Sequence, residues 1–93
     1  MRKTGKAIVL HEKDNVATML SDVNIGDEIK VVFQKKKKLI IKALNNIPFG
    51  HKVALKDICE GEQIFKYGEI IGVAIKKIHK GEHVHIQNLK STF

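Results

Sequence analysis

The chain has 93 residues, 43% of them hydrophobic, 5% aromatic and 29% charged, with a formal net charge of +7. This is the composition of one small globular domain, residues 1–93, and no apolar run approaches the ~20 residues that cross a bilayer. A single cysteine, Cys59, excludes an internal disulfide and points to a reducing cytoplasm.

The N-terminus, Met1-Arg2-Lys3-Thr4-Gly5-Lys6, is basic. The apolar stretch after it, Ala7-Ile8-Val9-Leu10, is too short for the core of a signal peptide and reads as a buried strand. Asp14 is a good helix N-cap. From there Val16, Met19, Leu20 and Val23 fall at i, i+3, i+4 and i+7, which predicts one short helix. Glu28 to Gln34 and Leu39 to Leu44 are rich in β-branched residues and flank a lysine run, so a hairpin is expected. Asn45-Asn46-Ile47-Pro48-Phe49-Gly50 is a loop. Short β pieces follow at His51 to Leu55, Gln63 to Lys66, Glu69 to Ile75 and His83 to Ile86.

One pattern recurs. Val23-Asn24-Ile25-Gly26-Asp27-Glu28-Ile29, Ile58-Cys59-Glu60-Gly61-Glu62-Gln63-Ile64 and Ile78-His79-Lys80-Gly81-Glu82-His83-Val84 share an aliphatic, two spacers, Gly, an acid, one variable residue and an aliphatic. This is a turn whose glycine accepts φ > 0 and whose aliphatics point inward. Many short strands joined by such turns predict a compact, mostly-β, barrel-like module.

Much of the positive charge lies in Lys35-Lys36-Lys37-Lys38, where a solvated hairpin tip discourages edge-to-edge association. Charge is the sole argument for nucleic acid, because four Phe, one Tyr and no Trp give no stacking platform. Attraction of a small acidic substrate accounts for the charge equally well.

His83 and His85 are two apart in a strand-like run, so their imidazoles share a face. They form a candidate metal pair, with His51, Asn88 or a second chain as sources of a further ligand. His11 precedes the expected helix cap and can reach the same end of the domain. Lys66-Tyr67-Gly68-Glu69 is a tight turn whose lysine suits a carboxylate. Cys59 has no neighbouring His and no CxxC partner, so a nucleophilic role is not expected. Asp14, Asp57, Glu62 and Glu82 are not spaced as an acid/base pair, and no glycine-rich phosphate loop is present.

Together, these segments make the chain resemble the SAF-type β-clip domain that begins the altronate and galactarate dehydratases. The resemblance rests on His11-Glu12-Lys13-Asp14-Asn15-Val16-Ala17, Ile47-Pro48-Phe49-Gly50-His51-Lys52-Val53-Ala54-Leu55-Lys56-Asp57-Ile58, Lys66-Tyr67-Gly68-Glu69-Ile70-Ile71-Gly72 and Gly81-Glu82-His83-Val84-His85-Ile86-Gln87-Asn88. That family removes water from a polyhydroxy acid to give a 2-keto-3-deoxy acid, commonly with Fe2+ or another divalent metal, and includes sulfolactate sulfo-lyase. The resemblance implies a small subunit of a hydro-lyase acting with a separate large subunit on a small acidic sugar. His51, His83 and His85 would then be catalytic, with His83 and His85 binding metal, and His11, Lys66 and Asn88 contacting substrate. The ending at Phe93, with no large domain after it, fits that expectation. Gln87 departs from the family pattern, in which a third histidine is common there. The rival reading is a stand-alone module that binds a sugar acid or glycan without catalysis. Self-association is also open to so small a domain.

Overall fold

The computed structural model describes residues 3–34 and 37–92. Met1 and Arg2 of the basic N-terminus, and Lys35 and Lys36 of the lysine run, lie outside the described residues. The described residues form nine strands and no helix: β1 Thr4–Val9, β2 Val16–Met19, β3 Glu28–Phe33, β4 Lys38–Lys42, β5 Lys52–Ala54, β6 Gln63–Lys66, β7 Glu69–Ala74, β8 His83–Val84 and β9 Leu89–Ser91. Six of them make one sheet in the order β4-β3-β1-β2-β5-β8, and β6-β7-β9 make a second. The mostly-β expectation is met.

The expected short helix is absent, and packing explains why. Val16 belongs to one buried apolar cluster, with Ala54, Ile58, Ile64, Ile78 and Val84. Ala17 and Met19 belong to the other, with Val9, Ile29, Val31 and Val53. β2 thus has core on both faces, so its sequence loses the alternation of a half-buried strand, and its apolar residues fall by chance at helical spacing. The backbone of β2 is satisfied laterally instead: Ala7↔Met19 pairs it with β1, and Ala17↔Val53 pairs it with β5.

The hairpin expected across the lysine run is present as β3 and β4, registered Glu28↔Lys42 through Val32↔Lys38. β1 and β3 run parallel over six residue pairs, Thr4↔Glu28 to Val9↔Phe33, a pairing that local sequence does not announce. The last expected strand is shorter than its β-like composition. β8 covers His83–Val84, the chain turns through 85–88, and β9 begins at Leu89.

The recurring turn is realised four times, not three. Antiparallel bridges join Val23 to Ile47 and Ile58 to Ile78, and each bridging residue opens a turn closed by a glycine. In each, the amide after the glycine bonds back to the first spacer: Asp27 to Asn24, His51 to Pro48, Glu62 to Cys59 and Glu82 to His79, at 2.9–3.1 Å. Gly26, Gly50, Gly61 and Gly81 all have positive φ. At Gly81 the constraint is double, since a Cβ there would also collide with the Lys42 carbonyl oxygen.

Candidate functional site

The fourth turn, Ile47-Pro48-Phe49-Gly50-His51-Lys52-Val53, carries a histidine where the other three carry an acid. In those three the acid caps the turn. Asp27 Oδ2 accepts from Asn24 N at 2.8 Å, Glu62 Oε1 from Cys59 N at 2.8 Å, and Glu82 Oε1 from His79 N at 2.9 Å. The residue equivalent to those donors is Pro48, which has no N–H. The fourth turn therefore needs no acid, and the side chain at position 51 is released from a structural task. Its backbone keeps the shared pattern: the His51 carbonyl accepts from Met19 N at 2.8 Å, and Gly50 N donates to Met19 O at 2.8 Å.

His83 reaches the same place along β8. Antiparallel pairing sets Val53 opposite His83, and His51 precedes Val53 by two, so His51 and His83 lie on one face. Asn45 Oδ1 accepts from His83 N at 2.8 Å, which ties the loop before the fourth turn to β8. His85 lies past the end of β8 and is placed by Asn88. Asn88 Oδ1 accepts from His85 N at 2.9 Å, while its Nδ2 donates to the His83 carbonyl at 2.8 Å and to Glu82 Oε2 at 3.3 Å.

The result is a stack of three imidazoles. Centroids are 5.1 Å apart for His51–His83, 4.7 Å for His51–His85 and 5.4 Å for His83–His85, with interplanar angles of 28°, 28° and 12°. One nitrogen from each ring lies within 4.8 Å of the others, and all three side chains are half-buried. His51 Nδ1 and His83 Nε2 are 2.9 Å apart. One of these nitrogens donates and the other accepts, so the acceptor ring is neutral. Burial pushes the His83 pKa down, and the charges of His51, His85 and Lys52 add to that. Burial therefore favours the neutral form of His83, the form that binds metal ions. Three convergent imidazoles fit a borderline or hard-to-borderline divalent ion with open positions left for oxygen ligands.

The structure brings His51, His83 and His85 together, with Asn88 bonded to the His83–His85 backbone and His11 and Lys66 at a different turn. Asn88 is 0% exposed, and both atoms of its amide are spent on the 83–88 segment. Its amide thus holds the backbone of the two histidines, a task the sequence could not separate from ligand contact because the same amide chemistry serves both. His11 and Lys66 each pack at the β6–β7 turn, His11 against Gly68 and Lys66 against Tyr67, outside the three-histidine group. There Asp14, expected to cap a helix, accepts instead from Tyr67 N at 2.9 Å and Gly68 N at 2.8 Å. The His11 ring covers Gly68 so closely that a Cβ on that glycine would lie 2.7 Å from His11 Cδ2. Lys66 Nζ stands 4.9 Å from the Tyr67 ring centroid.

A further charged residue, Lys52, was not among the expected site residues. It is half-buried on β5, between Thr18 of β2 and Val84 of β8. Burial lowers its pKa first, and the charge of Lys66 lowers it further. Lys52 in turn disfavours the charged form of His83. Positive charge thus extends from Lys66 through Lys52 to the imidazoles, an environment that favours an anion. Its sequence signal was weak, since one lysine among the chain's many basic residues carries no mark of burial.

Residues 5–92 match the model of the altronate/galactarate dehydratase SAF domain. The chain is 37% identical over 84 residues to altronate dehydratase of Bacillus subtilis (strain 168), covering 90% of this chain and 16% of that protein. It is 38% identical over 81 residues to galactarate dehydratase (L-threo-forming) of Escherichia coli (strain K12), covering 87% of this chain and 14% of that protein. With (2R)-sulfolactate sulfo-lyase subunit alpha of Chromohalobacter salexigens it shares 33% identity over 86 residues, covering 89% of this chain and 92% of that subunit. The chain thus spans about a sixth of the altronate dehydratase it matches and nearly all of the sulfo-lyase subunit. With a family match over almost its whole length, the chain belongs to the altronate/galactarate dehydratase SAF domain family.

Proposed function

We propose that the chain is the small subunit of a sugar-acid dehydratase of the altronate dehydratase type, acting in the cytoplasm with a separate large subunit. The reaction removes water from a polyhydroxy acid: the proton next to the carboxylate is abstracted, the neighbouring hydroxyl leaves as water, and the enol formed becomes a 2-keto-3-deoxy acid. The observation that carries the reading is the convergence of His51, His83 and His85, three half-buried rings from two distant segments, in a chain related to dehydratases and a sulfo-lyase subunit.

The elimination needs a base, an acid at the departing oxygen and a cationic partner for the carboxylate. His51, His83 and His85 would hold Fe2+ or another divalent ion in this reading, and such an ion would supply Lewis acidity for the departing hydroxyl. Lys52 and Lys66 supply positive charge for the carboxylate. The base that removes the α-proton comes from the large subunit.

The test is co-expression with the large dehydratase chain of the same genome and assay of altronate, galactarate and sulfolactate. Turnover of one acid that requires both chains, and that His51→Ala or His83→Ala abolishes, supports the proposal. Undiminished turnover by the large chain alone overturns it.

A further inference from the structure

Each of the four related turns exposes its second spacer at the tip. Two of them place charged residues there, Glu60 and Lys80, as a solvated tip allows. The turn that delivers His51 places Phe49 there, 65% exposed. On the other histidine-bearing segment Ile86, 79% exposed, directly follows His85. Neither belongs to a core cluster.

Two more exposed apolar residues attach to the same segments. Leu20 follows Met19, whose backbone exchanges hydrogen bonds with Gly50 and His51. Leu44 N donates to Gly81 O at 2.9 Å, and the next residue, Asn45, receives the His83 amide. Single exposed aliphatics are ordinary on a soluble surface. Phe49 and Ile86 on the two histidine-bearing segments, with Leu20 and Leu44 on segments hydrogen-bonded to them, point to a surface that is covered in use.

We propose that Phe49, Ile86, Leu20 and Leu44 are the seat of the larger lyase chain, which closes over His51, His83 and His85. This rests on the reading of the chain as a small subunit. The histidine group contains no carboxylate among the described residues. With the three rings committed to the ion in that reading, the base for α-proton removal arrives from another surface, and that surface has to meet the rim of the histidines to reach them. A second copy of this chain fits poorly: two molecules of net charge +7 repel, and a copy brings more imidazole and no added acid. In the altronate dehydratase relative the equivalent domain makes up 16% of one long chain, so a much larger body accompanies it there.

The experiment measures association of the purified chain with the large dehydratase chain of the same genome by biolayer interferometry. Alongside it, Co(II) binding to the isolated chain is followed by absorbance. Phe49→Ser/Ile86→Ser should weaken association by at least about tenfold, as loss of exposed anchors at an interface does. Its Co(II) affinity should stay at the wild-type level, which also reports an intact fold. Ile40→Ser, exposed on β4 where it pairs with Lys30 of β3, should leave association unchanged. Undiminished association of the double variant, or no association of the wild type, overturns the proposal. So does an effect confined to self-association of the small chain. Failure of the dehydratase reading is seen separately, as an assembled pair that turns over none of the acids while the double variant still fails to assemble.

Discussion

Pro48 and His51 are linked by what each does not do. Pro48 has no amide hydrogen to be capped, and His51 stands where the three sister turns place the capping acid. The proline thus relieves position 51 of a structural duty that would otherwise compete with a functional one. Were an N–H present at position 48, an acid at 51 would be drawn to it, away from His83.

This relationship predicts a conditional effect. Replacing Pro48→Ala introduces an uncapped N–H, and His51→Asp in that background should restore the cap and recover roughly 1 kcal/mol. His51→Asp with Pro48 in place should recover nothing, because there is no donor. Urea unfolding of the two single variants and the double variant measures the difference. Equal effects of His51→Asp in both backgrounds would show that the proline is incidental.

Asn88 should matter to metal binding without touching metal. Its amide fixes His85 N and the His83 carbonyl, so Asn88→Ala leaves buried backbone groups unpaired and costs about 1–3 kcal/mol of stability. Among molecules that remain folded, Co(II) affinity should fall about tenfold, the usual size of a supporting-residue effect. His51→Ala, His83→Ala and His85→Ala should each reduce it by more. Asn88→Asp, which keeps the acceptor for His85 N, should recover part of the loss. Competition titrations with a chromophoric chelator give these affinities.

The depressed pKa of His83 fixes the sign of one pH effect. Unfolded, the ring titrates at its ordinary 6.5, whereas burial and neighbouring positive charge hold the folded value lower. As pH falls below 6.5 the unfolded chain takes up the proton first, so stability declines through the window down to the folded pKa and then levels off. His83→Gln removes this term. Urea midpoints at pH 7.5 and pH 5 should drop more for the wild type than for the variant, and an equal drop would remove His83 as the cause.

Lys52 should trade stability for anion binding. Its half-buried ammonium, next to the charge of Lys66, is unfavourable in the folded chain. Lys52→Met should therefore raise the urea midpoint at pH 7. In the assembled enzyme the same change should raise KM for the acid substrate about tenfold, the loss of one charge-assisted contact. A lowered midpoint with KM unchanged would make Lys52 a packing residue.

Several features were legible from local sequence, because short-range physics decides them. The β3–β4 hairpin follows from two β-branched runs around a polar turn. Three of the four turns follow from glycine spacing, whereas His85 lies past the end of β8 and its place beside His83 depends on the turn held by Asn88. The segment from Val16 to Val23 was not legible, because burial on both faces of β2 erases the alternation that marks a strand. The fourth turn was hidden by its histidine, since the acid defined the pattern and the consequence of Pro48 shows only beside the three capped copies. The meeting of His51 with His83 depends on β5 pairing with β8, and the burial of Lys52 depends on β2 and β8 enclosing β5. The sequence by itself determined the residue types available for chemistry and the turns that carry them. The tertiary structure decided which of them share one site, because pairing between strands some 30 residues apart is set by the global packing of two apolar clusters, which no local pattern records.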